Sequence, residues 1–254
     1  MGVSWFAIDG IKSSDFGVHI SGSKLDDAPT RVYEAVSVPG RNGDVIFDEG
    51  RYENVIVSYE CGLLNNNVNL AGFRSWLMSL TGYHTLTDSY HENEYRLAIP
   101  TGGLAVETLV GRRIAKFRVQ FNCKPQRFIT NVQQIVATHE AQYSTTEIVN
   151  PTYYPALPIM RVYGSGTVRI RGENTNLSDW RDIIISPHEY GYCELDFDIQ
   201  DAYHRGSNLN QYVSVYAAMT TQIASYPVLN PGVTFVTLDE GVSKVEITPR
   251  WWTL

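Results

Sequence analysis

Val55-Ile56-Val57-Ser58-Tyr59-Glu60-Cys61 carries apolar side chains at every second position, and this alternation decides the fold class. Successive side chains of a β-strand point to opposite faces of the sheet, so the pattern is typical of a strand with one buried face. Ala115-Lys116-Phe117-Arg118-Val119-Gln120-Phe121 repeats it. Short segments with strand character follow through the second half of the chain, at intervals typical of a β-sandwich: 159–163, 167–171, 183–185, 193–199, 234–238 and 245–248. The sequence therefore predicts a mainly β protein.

One segment has the periodicity of a helix instead. Its apolar residues recur at spacings of three and four, which places them on one helix face; they are Leu70, Phe73, Trp76, Leu77 and Leu80. We expect an amphipathic helix over about 68–81. Asn67 or Asn69 can cap its first turn, and Gly82 can adopt the positive φ that commonly closes a helix.

The composition limits the classes of partner. The 254 residues include 20 basic and 27 acidic side chains, and a net charge of −7 argues against binding to nucleic-acid phosphates. The first residues lack a basic segment followed by a long apolar one, and no run of 18 apolar residues occurs. We therefore expect synthesis in the cytoplasm, no membrane insertion and no sequence-specific nucleic acid. Three cysteines without close spacing are interpreted as buried thiols.

The charge balance suggests two domains. Residues 1–133 hold 13 basic and 14 acidic side chains, whereas residues 134–254 hold 7 and 13. Asn150-Pro151-Thr152-Tyr153-Tyr154-Pro155 is interpreted as the entry into a new β unit. We expect a β-sandwich with a helix over 1–133 and a second β-sandwich over 134–254.

The first domain contains a candidate assembly arm. Extended segments between Val32 and Tyr59 are joined by a turn sequence, in which Asn-Gly favours a tight turn and proline removes a ladder donor. A hairpin of this kind buries little surface by itself and usually needs a partner to lie against. The candidate residues for a subunit interface are Pro39, Gly40, Arg41, Asn42, Gly43 and Asp44.

Four acidic residues form the one weak candidate for a metal site. Glu194, Asp196 and Asp198 occupy alternate positions and Asp201 follows, and oxygen-rich clusters suit calcium. The same alternation is typical of a strand with one face in water, and the spacing of an EF-hand is absent. We therefore predict no metal, and keep a metal-dependent hydrolase only as a minor alternative.

No other pattern indicates catalysis or a cofactor. The six histidines show neither HExxH nor zinc-site spacing with cysteine. Asp88-Ser89-Tyr90-His91 is interpreted as a structural turn, because no nucleophile elbow is present. Gly164-Ser165-Gly166 is interpreted as a turn between strands, because the third glycine and the helix of a dinucleotide site are missing. We expect a protein that is not an enzyme and binds no cofactor.

Tryptophans of the second domain are candidate glycan contacts. Trp180, Trp251 and Trp252 could stack on sugar rings, although aromatic side chains also fill sandwich cores. The alternative function is therefore a carbohydrate-binding module that recognises cell-wall glycan through the second domain.

Several short phrases occur in a fixed order along the chain. They are Ile8-Asp9-Gly10-Ile11, Ser14-Asp15-Phe16-Gly17-Val18, Pro39-Gly40-Arg41-Asn42-Gly43-Asp44, Phe73-Arg74-Ser75-Trp76-Leu77, Asp88-Ser89-Tyr90-His91 and Phe121-Asn122-Cys123-Lys124-Pro125-Gln126-Arg127-Phe128, with Tyr226-Pro227-Val228-Leu229-Asn230-Pro231-Gly232 and Ile247-Thr248-Pro249-Arg250-Trp251-Trp252 near the end. Together they resemble the distal tail proteins of siphophages, chiefly those of phages that infect Gram-positive hosts.

The resemblance implies a structural protein of the virion tail tip. It implies a ring, usually a homohexamer, closed by a belt of β-hairpins that turn at Pro39–Asp44. Its implied partners are the tail tube protein, the tail-associated tip protein and, in some members, a receptor-binding protein. The second domain would resemble galectins or carbohydrate-binding modules in fold, which does not by itself establish sugar binding.

Overall fold

A computed structural model describes residues 4–22, 24, 28–63, 69–108, 115–139, 145–172, 181–187, 189–205, 212–215, 219–221 and 228–254. The chain divides into two compact units, residues 1–130 and 131–253. As the sequence predicts, the described residues are mainly β with one α-helix. No helix among them is long and apolar enough to span a membrane.

Unit 1 is built on one antiparallel sheet. Its elements are β1 (Phe6–Ile8), β2 (Ile11–Lys12), a 3-10 turn (Ser13–Phe16), β3 (Val18–Ile20), β4 (Arg31–Val36), β5 (Val45–Tyr52), β6 (Val55–Leu63), α1 (Leu70–Ser79), β7 (His84–Asp88), β8 (Glu94–Thr101), β9 (Val106–Thr108), β10 (Ala115–Cys123) and β11 (Arg127–Ile129). The strand order is β2-β1-β7-β8-β10-β6-β3, with β9 on β10 and β11 on β8. Strands β4 and β5 pair with each other in a separate two-stranded sheet.

The two alternating segments of unit 1 are neighbouring strands. β6 and β10 pair antiparallel, with Tyr59 opposite Val119 and Val57 opposite Phe121. These four side chains are buried in one apolar cluster with Phe6 and Phe73. Because opposite residues of an antiparallel pair share a face, the register places both apolar sets on the core side.

The predicted helix is confirmed, with one correction. Asn69 caps it, since its side-chain oxygen accepts a hydrogen bond from the Gly72 amide at 2.8 Å. Phe73 and Leu77 are buried in the core. The expected closure by Gly82 is wrong, because the helix ends at Ser79 and its C-cap residue, Leu80, is extended. Gly82, with φ of 80°, lies beyond that cap. Asn67 is outside the described residues.

Unit 2 consists of two antiparallel sheets. Their strands are β12 (Ile135–Thr138), β13 (Thr145–Asn150), β14 (Ile159–Gly164), β15 (Gly166–Gly172), β16 (Arg181–Ile185), β17 (Cys193–Asp196), β18 (Asp201–Arg205), β19 (Tyr212–Ser214), β20 (Met219–Thr221), β21 (Gly232–Leu238) and β22 (Val242–Thr248). A short strand outside these two sheets, β23 (Trp252–Thr253), follows near the end of the chain. One sheet has the order β12-β22-β14-β17-β18-β19 and the other β13-β21-β15-β16-β20. Both supply fully buried apolar side chains, including Met160 and Leu195 from the first and Ile148 and Ile183 from the second.

One predicted strand of unit 2 is shorter than expected. The segment 193–199 is extended only as far as Asp196. There the Asp196 side chain accepts a hydrogen bond from the Asp198 amide at 3.0 Å, which turns the chain toward β18. Gln200 has a φ of 55° in the same turn.

Two connections between the sheets of unit 2 lie against each other. Gly164-Ser165-Gly166 links β14 to β15, as the turn interpretation of the sequence requires, and Gly241 precedes β22 after β21. The Ser165 amide donates to the Gly241 carbonyl at 3.0 Å. A Cβ on Gly164 would overlap that carbonyl oxygen, and a Cβ on Gly241 would overlap the Ser165 carbonyl oxygen. Only glycines permit this backbone approach.

Candidate functional site: an exposed β-hairpin

The hairpin expected between Val32 and Tyr59 is formed by β4 and β5. Their ladder pairs Val36 with Val45, Ala35 with Ile46 and Glu34 with Phe47. The connecting turn, residues 37–44, contains all six candidate interface residues from Pro39 to Asp44, and every residue of it is exposed. Gly40 and Gly43 have φ of 81° and 77°, a region that favours glycine.

Both faces of this hairpin present apolar side chains to solvent. Tyr33 and Ile46 lie on one face, and each is 55% exposed. Phe47 and Val36 lie on the other face, at 58% and 38% exposure. A sheet that covers a core has one apolar face, whereas this pair of strands has two. Contiguous exposed apolar groups of this kind typically mark an interaction surface.

Polar contacts hold the base of the hairpin in register. The Arg31 Nε donates to Asp48 Oδ2 at 2.8 Å, and its Nη1 donates to the Tyr52 hydroxyl at 3.0 Å. The hydrogen bond from Arg31 lowers the pKa of Asp48 below its ordinary value. The Gly50 amide donates to the same carboxylate at 2.8 Å. These contacts shape the hairpin but leave its apolar groups uncovered.

The acidic candidates lie in different surroundings. Glu194 lies buried between two arginines, accepting from Arg161 Nη2 at 2.6 Å and from Arg205 Nε at 2.8 Å. The hydrogen bond to Glu194 raises the pKa of Arg161. The expectation of a strand face in water is therefore wrong at Glu194, because neighbouring strands bring cations over it.

The other three acids are separated by the turn after β17. Asp196 is buried and paired with Arg250, while Asp198 is exposed. Asp201 accepts a hydrogen bond from the Ala202 amide at 2.7 Å. In the described part of the chain, no group of three or more histidine, cysteine, aspartate or glutamate side chains is placed to hold a metal ion.

The tryptophan candidates lie in different environments. Trp180 is outside the described residues, and Trp251 is buried. Trp252 is partly exposed, stacks on Tyr154 with ring centroids 4.4 Å apart, and donates its indole N–H to the Pro155 carbonyl at 2.9 Å. The sequence therefore does not separate a packed tryptophan from an accessible one.

A buried polar cluster in unit 1 was not apparent from the sequence. Asp88 accepts from Lys24 Nζ at 2.7 Å, from the Tyr59 hydroxyl at 2.6 Å and from the amides of Tyr90 and His91 at 2.9 and 3.0 Å. Burial alone would raise the pKa of Asp88, but the donors from Lys24 and Tyr59 hold it below its ordinary value. The hydrogen bonds that Asp88 accepts from the amides of Tyr90 and His91 are local, so the sequence can indicate this turn. Lys24 and Tyr59 come from distant parts of the chain, so the sequence does not indicate their contacts with Asp88.

This cluster has the geometry of a structural turn rather than of a catalytic triad. The Ser89 Oγ accepts a hydrogen bond from the Trp5 amide at 3.0 Å, which joins β7 to the start of the chain. The carboxylate of Asp88 is committed to four donors within unit 1. These hydrogen bonds tie Lys24 and Tyr59 to the turn that follows β7.

Comparison with known proteins gives matches among solved structures. No protein-family model matches the sequence, and no curated protein matches it. The crystal structure of the Dit protein of phage SPP1, described as a paradigm of the hub adsorption apparatus in phages infecting Gram-positive hosts, superposes with a TM-score of 0.71 at 13% identity, covering 100% of both chains. A chain of the phage P2 baseplate in its activated conformation gives a TM-score of 0.50 at 9% identity over 98% of this chain and 100% of that one. The chain therefore has the fold of the SPP1 hub protein over its whole length, in agreement with the resemblance of its sequence to siphophage distal tail proteins.

Proposed function

We propose that the chain is a structural distal tail protein of a long non-contractile phage tail. In this role, copies of the chain form a ring, expected to be a homohexamer, at the virion tail tip. The ring joins the tail tube protein to the tail-associated tip protein of the host-adsorption device or baseplate. Unit 1 supplies the ring contacts, and unit 2 is the outer domain, where a receptor-binding protein could attach.

The hairpin with two apolar faces carries this proposal. An isolated two-stranded hairpin is marginally stable in water, and exposed apolar groups on both of its faces favour burial against a partner. An arm that reaches from one copy to the next provides the head-to-tail contact that a closed ring requires. The whole-chain likeness in fold to the SPP1 hub protein supports the same reading.

The charge of the chain agrees with a channel that passes DNA. A net charge of −7 disfavours tight binding to phosphates. A ring that surrounds passing DNA must not bind the DNA tightly. A chain with a net negative charge therefore suits this position.

The first test is the mass of the purified full chain by light scattering, with negative-stain images of the same sample. We expect a ring of several copies with a central hole. Ile46→Asp places a charge on the exposed hairpin face and should yield a folded monomer, because a buried contact would then have to desolvate a carboxylate. Ile199→Asp is the matched control, since Ile199 is similarly exposed but lies in unit 2, and it should leave the ring intact.

Two outcomes would contradict the ring assignment. One is a wild-type chain that stays monomeric at all concentrations. The other is an Ile46→Asp chain that forms rings of unchanged mass and stability. Reversing both charges of the turn, with Arg41→Glu and Asp44→Lys, provides an independent perturbation at the hairpin tip.

One observation favours glycan binding by unit 2 as a second candidate function. Tyr153 is 92% exposed and directly precedes Tyr154, which stacks on Trp252. Exposed aromatic rings can pack against sugars. Binding of the full chain to cell-wall glycan should then be lost in Tyr153→Ala and kept in Tyr212→Ala, an exposed tyrosine elsewhere in unit 2. No binding by the wild-type chain would dismiss this candidate.

A further inference from the structure

The hairpin is joined to the body of unit 1 very differently at its two ends. On the exit side, only Glu53 and Asn54 separate β5 from β6, whose first residue, Val55, is buried in the core. On the entry side, residues 21–30 separate β3 from β4. We call these residues the lead-in. In general, a longer connection constrains the direction of an attached hairpin less than a short one does, unless it is fixed to the body by contacts of its own.

Three described residues of the lead-in contact the body. The Ser21 amide donates to the Glu60 carbonyl at 2.7 Å, and the Gly22 carbonyl accepts from the Tyr90 hydroxyl at 2.7 Å. Lys24 extends its ammonium group to Asp88 at 2.7 Å. The same ammonium group lies 3.1 Å from His91 Nδ1.

The pair of Lys24 and Asp88 is almost removed from solvent. Their side chains are 9% and 6% exposed. Three donors besides Lys24 hold the Asp88 carboxylate in place: the Tyr59 hydroxyl and the amides of Tyr90 and His91. The carboxylate is therefore a rigid acceptor for the Lys24 ammonium group. A buried lysine loses its hydration and requires such a partner, which makes departure from this position costly.

We propose that Lys24, held by Asp88, is a positioning residue that sets the direction in which the hairpin leaves unit 1. The anchor, which is the pair of Lys24 and Asp88, lies on the longer of the two connections, and the hydrogen bond from Tyr90 to Gly22 supports it. This role rests on the proposed function of the hairpin in ring assembly. A fixed arm direction lowers the entropy that each subunit loses when its arm meets the next copy.

The test measures the direction of the arm in the full-length chain. Spin labels on Ser37→Cys, in the hairpin turn, and Ser75→Cys, on the exposed side of α1, report the distance between arm and body. The native Cys61, Cys123 and Cys193 are buried and should not compete for label. We expect one narrow distance distribution in the parent chain.

Lys24→Met should broaden that distribution about twofold, because the lead-in loses its buried contact. Lys116→Met, the same change at an exposed lysine of β10, should leave it unchanged. Tyr90→Phe removes only the hydroxyl bond to Gly22 and should broaden the distribution less. Tyr90→Phe also tests the proposal if Lys24→Met does not fold. Because Tyr90 is substantially exposed, we expect its substitution to leave the fold intact.

Distributions as narrow as the parent in folded Lys24→Met and Tyr90→Phe would overturn the anchor. Assembly provides the second readout: Lys24→Met should form fewer rings than Lys116→Met at equal concentration. A wild-type chain that forms no rings would contradict the proposed function, while the distance measurement would still decide the anchor.

Discussion

Arg250 and Asp196 form a two-pronged ion pair in unit 2, with Nη1 2.8 Å from Oδ1 and Nη2 2.6 Å from Oδ2. Arg250 lies 54 residues after Asp196 and has a φ of 56°, so the backbone takes a left-handed conformation at the residue that supplies the guanidinium. The two parallel bonds fix the end of β17 to the segment that precedes β23. One acid of the candidate metal site is thereby a structural partner of an arginine.

Removing one partner of this pair should destabilise unit 2. Arg250→Met leaves the buried Asp196 without its cation, and we expect a loss of about 3 kcal/mol in the free energy of unfolding. This loss can be measured by urea denaturation in which hydrogen exchange of the peptides that contain β17 reports unfolding. Arg51→Met, which removes an exposed pair with Glu49, should cost less than about 1 kcal/mol. Equal losses in the two variants would contradict the structural role of the pair.

The glycine connections of unit 2 should tolerate no side chain. Gly164→Ala and Gly241→Ala each place a Cβ on a backbone carbonyl oxygen, at residues with positive φ, so we expect losses of about 2–4 kcal/mol. Gly191→Ala meets no atom within 4 Å and is the control, expected within about 0.5 kcal/mol of the parent. Thermal unfolding of the three variants compares them directly. A stable Gly164→Ala protein would show that the two connections can separate.

The stability of unit 1 should fall in acid partly through Asp88. The pKa of this carboxyl is lower in the folded chain than in the unfolded one, so its ionised form stabilises the fold above about pH 4. That contribution disappears as the pH falls through the folded pKa. Asp88→Asn should be less stable at pH 7 and lose less stability on acidification. Urea series at pH 7, 4 and 3, read by hydrogen exchange of β6 peptides, measure both effects.

A matched variant separates this effect from general acid denaturation. Asp44→Asn changes an exposed carboxyl in the hairpin turn and should keep the pH dependence of the parent. Identical pH profiles for Asp88→Asn and the parent would contradict the role of Asp88.

The first turn of α1 should depend on Asn69. Asn69→Ala removes the acceptor for the Gly72 amide and should cost about 1 kcal/mol. Asn69→Asp keeps an acceptor and adds a negative charge near the helix N-terminus, so it should be close to neutral. Denaturant midpoints of the two variants test the cap, and an Asn69→Ala chain as stable as the parent would exclude it.

The thiols should react only when the chain opens. Burial raises the pKa of Cys61 and Cys193 to about 12 and that of Cys123 to about 11, which leaves little thiolate at neutral pH. We expect alkylation in the native state at pH 8 to be at least about 100-fold slower than in urea. Mass spectrometry identifies the modified residues. Rapid native labelling of any one of the three would contradict its burial.

The sequence by itself determined the β class, the helix and the hairpin. Alternation at Val55–Cys61, the helical spacing around Phe73 and the turn residues near Asn42 are local signals, and a strand, a helix or a tight turn forms within the reach of such signals. The structure confirms each of them, with the helix spanning Leu70–Ser79. The resemblance of ordered phrases to distal tail proteins likewise depended on the sequence alone.

Only the tertiary structure decided which polar residues meet. Glu194 lies under Arg161, Asp196 meets Arg250, and Lys24 reaches Asp88 across 64 residues of chain. Alternation specifies that a strand has two faces, but the order of strands in the sheet determines whether an acidic face meets water or cations. Two carboxylates of an alternation that is typical of a wet face, those of Glu194 and Asp196, are therefore buried and paired with arginines, because sheet order depends on contacts between residues far apart in the sequence.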